Sequence, residues 1–102
     1  MGYDELLINT CDLVRPTFDL ITNRRTGEVL TPDEKCRWMW GLKRVPVAVG
    51  EEILSVAKVF FRVTLVIDTE YFLRYEGAEY KVVKILKPQN SIFRHHVEVY
   101  VV

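Results

Sequence analysis

From Val59 to Ile67 every second residue is apolar: Val59, Phe61, Val63, Leu65 and Ile67 fall on one side. Lys58, Phe60, Arg62, Thr64 and Asp68 fall on the other. A period of two is the signature of a half-buried antiparallel strand. Two turn signals follow at short intervals. Glu76-Gly77-Ala78 separates strand-like patterns over 71–75 and 79–87, and 88–91 (PQNS) separates the second of these from a last pattern over 92–102. A glycine turn between two strand patterns predicts a hairpin. The meander predicts a last strand that ends inside its sheet, with a fixed terminus.

The segments before it are also strand-like. Residues 6–14 alternate imperfectly and Pro16, which lacks a ladder donor, predicts the end of that strand. A polar run closed by Gly27 predicts a turn. A small hairpin over about 20–31, with Arg24 and Arg25 at its tip, is the expectation, and residues 31–34 (TPDE) break the chain after it. Over 35–42, Cys36, Trp38, Trp40 and Leu42 share a face. The two tryptophans read as core anchors or as one core anchor and one interface anchor. Pro46 and Gly50 mark a connection. Residues 51–58 (EEILSVAK) fit a short helix with acidic residues at its start, or a strand.

The 102 residues allow one domain, 1–102. The expected fold is mainly β: a small antiparallel barrel or sandwich of five to six strands, with one short helix near 51–58 as an option and a hairpin protruding near 20–31. Barrel closure removes exposed sheet edges. The expected core includes Trp38, Trp40, Phe61, Val63 and Leu65, with Gly77 holding the turn.

Fourteen basic and fourteen acidic residues cancel, which argues against a module driven by phosphate neutralisation. A neutral chain of 49% hydrophobic composition is either a modestly soluble monomer or a subunit that buries surface against partners. No apolar run approaches the ~20 residues of a membrane-spanning helix, and the first residues lack the pattern of a secretion signal. A reducing cytoplasm, or a particle assembled there, is the expected location. Cys11 and Cys36 are then small core residues more readily than a disulfide, and two cysteines without matching histidines make no zinc site.

No nucleophile elbow, phosphate loop or dinucleotide fingerprint is present. The expectation is a protein that is no enzyme, with no cofactor and no metal. His95 and His96 are adjacent in a strand pattern and point to opposite faces, His95 half-buried and His96 exposed. Lys81, Lys84, Lys87 and Arg94 come nearest to a nucleic-acid surface, but they make no single stripe with aromatic residues. They read as a solvated edge.

The block from Arg62 to the last residue, RVTLVIDTEYFLRYEGAEYKVVKILKPQNSIFRHHVEVYVV, resembles the second half of the phage head–tail joining family, also called head-closure, stopper or head-completion proteins. Its pattern is an apolar strand, a strand with an arginine, a glycine turn flanked by aromatics and a terminal strand. Here Arg62 to Ile67, Phe72 to Arg74, the run from Tyr75 to Val82 and Phe93 to Val102 occupy those places. Trp38 and Gly27 match a tryptophan and a loop glycine upstream, and 50–58 lies where the family has a Glu…Ala stretch. The resemblance covers about residues 6–102. The loop between the first two strands is longer than the pattern. The connection after Trp40 is shorter, and this second departure argues against a large channel-plugging loop.

The resemblance implies a structural connector of the virion neck, present in the host cytoplasm during assembly of a phage or prophage particle. Such a protein joins the DNA-filled head to the tail and helps close the head channel. Implied partners are a portal or adaptor ring, a tail-completion protein and further copies of the chain in a homo-oligomeric ring, with a monomer as the free form. DNA in the channel would be touched non-specifically at most, and no membrane is involved. Arg24, Arg25, Lys43, Arg44 and Glu51, all in loop-like segments, are the expected partner contacts. The alternatives are another phage structural subunit, such as a minor capsid or tail-terminator protein, and a small β-barrel binding module for nucleic acid or peptide.

Overall fold

The computed structural model describes residues 7–87 and 96–102. All elements among them are strands: β1 (Asn9–Phe18), β2 (Arg25–Ala48), β3 (Glu51–Arg62), β4 (Phe72–Tyr75), β5 (Ala78–Leu86) and β6 (His96–Val101). They close into an antiparallel barrel in the order β1-β2-β3-β6-β5-β4. The mainly-β expectation holds, and of its two forms the barrel is the one observed. The alternative of a helix over 51–58 is settled as strand. Those residues pair with β2 from Ala48 to Met39, and ladder hydrogen bonds outweigh the weak preference of an isolated short helix.

The inward faces supply the core. Cys11 and Leu13 of β1, Cys36 and Trp38 of β2, Ala57, Val59 and Phe61 of β3, Leu73, Val82, and Val97, Val99 and Val101 of β6 form one buried cluster. Each sits at a period of two on its strand, as the pleat requires. Trp38 stacks on Tyr75 with ring centroids 4.2 Å apart, which places β2 against the β4–β5 hairpin across the barrel. That hairpin turns on Glu76 and Gly77 alone, since Tyr75 pairs with Ala78. Both turn residues have positive φ, 50° and 81°, the two-residue geometry whose twist matches that of its strands.

Several expectations are corrected. The alternation from Val59 does not stay in one strand. β3 ends at Arg62, and a turn closed by the Leu65 amide on the Arg62 carbonyl (3.1 Å) follows. Val63 is therefore 46% exposed, not core, and Leu65 is only partly buried, while Ile67 re-enters the core. Trp40 does face inward, opposite Ala57, but it stands at the open end of the barrel and is 57% exposed. The register shift between Trp40 and Lys43 takes Leu42 out of the apolar face, and it is exposed. His96 is half-buried, with its ring edge-on to Phe60. His95, Arg94 and the expected turn at 88–91 lie outside the described residues.

The largest departure is β2, 24 residues long. The sequence breaks it at Pro32 and Pro46; the structure absorbs both in irregularities. Pro32 and Asp33 lie where the register with β1 shifts between Cys11 and Leu13, and the Asp33 amide (φ 54°) donates to Asp12 Oδ1 at 3.0 Å. Pro46 lies at the shift before Ala48. Pro16 does not end β1 either. β4 pairs only with Asp12, Leu13 and Val14, so at Pro16 the strand is paired on one edge alone, where a missing donor is tolerated.

β2 thereby becomes a spine with an arm at each end. Its first residues pair with the last of β1, and the chain turns at 19–24. Its last residues pair with the start of β3, and the chain turns at Val49 and Gly50. The expected protruding hairpin is the first arm, its turn several residues earlier than Gly27 suggested. The second arm replaces the expected connection over 44–52. Val14, Val45 and Tyr100 are buried outside the main cluster.

Candidate interaction surface

Two of the five sequence-predicted contact residues, Arg25 and Lys43, help to hold the arms down. Arg74 on β4 donates through Nη1 and Nη2 to the two oxygens of Glu28 (2.6 and 2.7 Å) and through Nε to Glu79 (3.0 Å). Arg25 joins the same carboxylates, at 3.2 Å from each, and lies over the Phe72 ring. This four-charge latch ties the first arm to the β4–β5 hairpin. The Arg74 guanidinium holds the Glu28 carboxyl below its usual range. On the second arm, Lys43 Nζ reaches the Tyr100 hydroxyl at 3.4 Å and sits over its ring. Lys84 donates to the Pro46 carbonyl at 2.7 Å. Ser55 Oγ, buried, lies 2.9 and 2.8 Å from the Ala57 and Val101 carbonyls and fixes the root of that arm on β6. Arg24 stands exposed at the first tip, and Arg44 and Glu51 are exposed on the second arm. The structure therefore divides the five expected contacts between two arms and does not assemble them into one site.

The lysine edge is also structural in part. Lys81 donates to the Thr69 carbonyl and covers the Phe72 ring at 4.8 Å. Burial lowers its pKa.

What the sequence reading missed is apolar. At the first tip, Leu20 and Ile21 are fully exposed, with Phe18 half exposed beside them. The turn that carries them is closed twice over. The Asp19 amide donates to the Arg24 carbonyl and the Asn23 amide to the Asp19 carbonyl, both at 2.8 Å. Asp19 Oδ1 accepts from the amides of Ile21 (2.7 Å) and Thr22 (3.1 Å), and these bonds lower its pKa. Asn23 supplies the left-handed residue (φ 56°) that Asn tolerates well. Val49, also fully exposed, occupies the second tip.

Two grooves are apolar. One, of about 550 Å³, lies behind the first arm, lined chiefly by Pro16, Phe18, Val29 and Phe72 with Lys81, Arg15 and Glu70 at its rim. The other, of about 280 Å³, lies where the chain leaves β3, lined chiefly by Val63, Leu65, Val66, Ile67, Ile85 and Val97, with Thr64 and Lys87 among them. Val66 is 85% exposed. At the barrel mouth Trp40 closes an aromatic group with Trp38, Tyr75 and Tyr80, its ring 5.5 to 6.2 Å from theirs. Together these features suit the docking of protein surfaces. Exposed aliphatic side chains on a rigid turn bind by burial at low ordering cost. No helix among the described residues is long and apolar enough to cross a membrane.

The architecture is thus a closed six-stranded antiparallel barrel with two apolar-tipped arms. No family model, no curated protein and no solved structure matches the chain.

Proposed function

We propose that the chain is an assembly subunit of a phage or prophage neck, joining the DNA-filled head to the tail and helping to close the head channel. The observation that carries this reading is the pair of apolar-tipped arms at the two ends of β2. A subunit set between two different rings needs contacts at both ends. The barrel with its Tyr75–Tyr80 glycine turn agrees with the pattern on which the family resemblance rests. The absence of net charge suits a subunit that packs beside copies of itself. Its partners in this reading are a portal or adaptor ring on one side and a tail-completion protein on the other, and its place is the virion neck.

The test is genetic and visual. Deletion of the gene from an inducible prophage is expected to give full-length tails and DNA-leaking heads that do not join, with joining restored by the wild-type chain. Charge reversal at Arg24 and Arg25, or at Lys43 and Arg44, is expected to reduce that rescue. Normal joined particles from the deletion strain would refute the reading.

A further inference from the structure

We infer that the outer face around Tyr100 binds a single strand of nucleic acid, with Lys43, Lys58 and Lys84 on its phosphates and Trp40 under a base. The barrel register assembles this face from four strands. Met39 lies opposite Lys58, Lys58 opposite Tyr100, and Tyr100 opposite Lys84. In the adjoining row Arg37 lies opposite Phe60, and Phe60 opposite Glu98. A step of two along each strand keeps both rows on the side away from the core. The second arm adds Lys43, its Nζ 3.4 Å from the Tyr100 hydroxyl and 5.4 Å from the ring centre. Lys58 Nζ is 5.8 Å from the centre of the same ring and 5.7 Å from that of Phe60. Lys84 Nζ is held on the Pro46 carbonyl.

These cations meet a single carboxylate among the described residues. Glu98 pairs with Lys58 at 3.1 Å and accepts from the Tyr100 hydroxyl at 3.2 Å, whereas Arg37, Lys43 and Lys84 have no ion pair. On the other side of the barrel Arg25 and Arg74 are matched by Glu28 and Glu79. The zero net charge is thus unevenly spread. Like charges on neighbouring strands repel, and such a surface gathers anions. The adjacent groove favours phosphodiester among them. It opens where β2 shifts register between Trp40 and Lys43, measures about 230 Å³, and is lined chiefly by Met39, Trp40, Leu42, Lys43, Lys58 and Tyr100. Met39, Trp40 and Leu42 are exposed. Basic residues interleaved with aromatic ones suit a single strand, whose bases are free to stack. A duplex hides its base faces and an acidic protein has none, so either would leave Trp40 uncovered. The sequence sets Lys84 beside Lys81 and Lys87; the fold sets it with Lys43 and Lys58 of two other strands. The inference is tested on the isolated protein and does not depend on the neck reading.

Fluorescence anisotropy of a labelled oligothymidylate of about 12 nucleotides, titrated with the full chain at several salt concentrations, tests it. Saturable binding is expected, its affinity falling with salt at a logarithmic slope of about −2, roughly 0.7 for each of the three lysines. Lys43→Gln and Lys84→Gln are each expected to reduce that slope by about 0.7, and Lys43→Arg to preserve it. Trp40→Ala is expected to weaken binding about tenfold with the slope unchanged. Circular dichroism checks that each variant folds. Absence of saturable binding at low salt overturns the proposal, as does a slope that neither glutamine variant moves. A duplex of the same length bound as tightly as the strand, or polyglutamate competing as well as unlabelled oligothymidylate, also overturns it, assigning the face to a duplex backbone or to an acidic protein.

Discussion

Inside the barrel Cys11 and Cys36 are both free and buried, and the neighbouring Cys36 thiol together with burial pushes the Cys11 pKa upward. Burial denies both thiols to a reagent, and the raised pKa of Cys11 withholds the reactive thiolate there, so both cysteines are expected to resist a thiol reagent in the native protein and to react together once denaturant unfolds it. Rapid native labelling would contradict their placement. Their assignment as core residues was legible because they share faces with other apolar residues. Trp40 shares a face with Trp38 in the same way, yet it is exposed, because face assignment does not say where along a strand a barrel ends. Ser55 shows the converse. Nothing in the sequence marks it, yet its hydroxyl lies on two buried carbonyls. Ser55→Ala is expected to cost about 1–3 kcal/mol, measured by urea unfolding.

Among elements, the arms depend on few contacts. Arg74 lowers the Glu28 pKa below its ordinary 4.5. The latch is therefore complete above that value and is lost as pH falls through the lowered one. Hydrogen exchange on acidification is expected to release amides of residues 25–30 before those of β3 and β6; simultaneous release would show that the latch does not hold the arm. Gly77→Val places a branched side chain at φ 81° and is expected to cost about 1–2 kcal/mol. Hairpins were the most legible elements, because the Glu76-Gly77 turn has one geometry that suits it. β2 was the least legible. Pro32, Gly41 and Pro46 break local patterns, and only pairing with two different neighbours carries the strand through them. The first tip was misplaced for a related reason. Turn rules favour polar residues, so Leu20 and Ile21 drew no notice while Gly27, which lies within β2 opposite Thr17, did.

For the whole molecule, every sheet contact closes a loop between strands, and β1 and β4 meet across more than half the chain. Non-local pairing of this kind sets folding in the millisecond-to-second range. The interior explains why the chain folds but not what it does. Uncovered apolar groups lie along the arms and at their tips, at the barrel mouth and at the β3 exit, and the sequence alone does not distinguish such groups from core, since both are simply apolar. The central claim is that the two apolar arm tips are contact surfaces. The most direct measurement rescues a prophage deleted for the gene with Leu20→Asp and Ile21→Asp together, and separately with Val49→Asp, circular dichroism checking that each variant folds, and counts joined particles by electron microscopy. The expected result is a loss of joining of about tenfold or more for each arm. Joining at the wild-type level with both tips altered would contradict the claim.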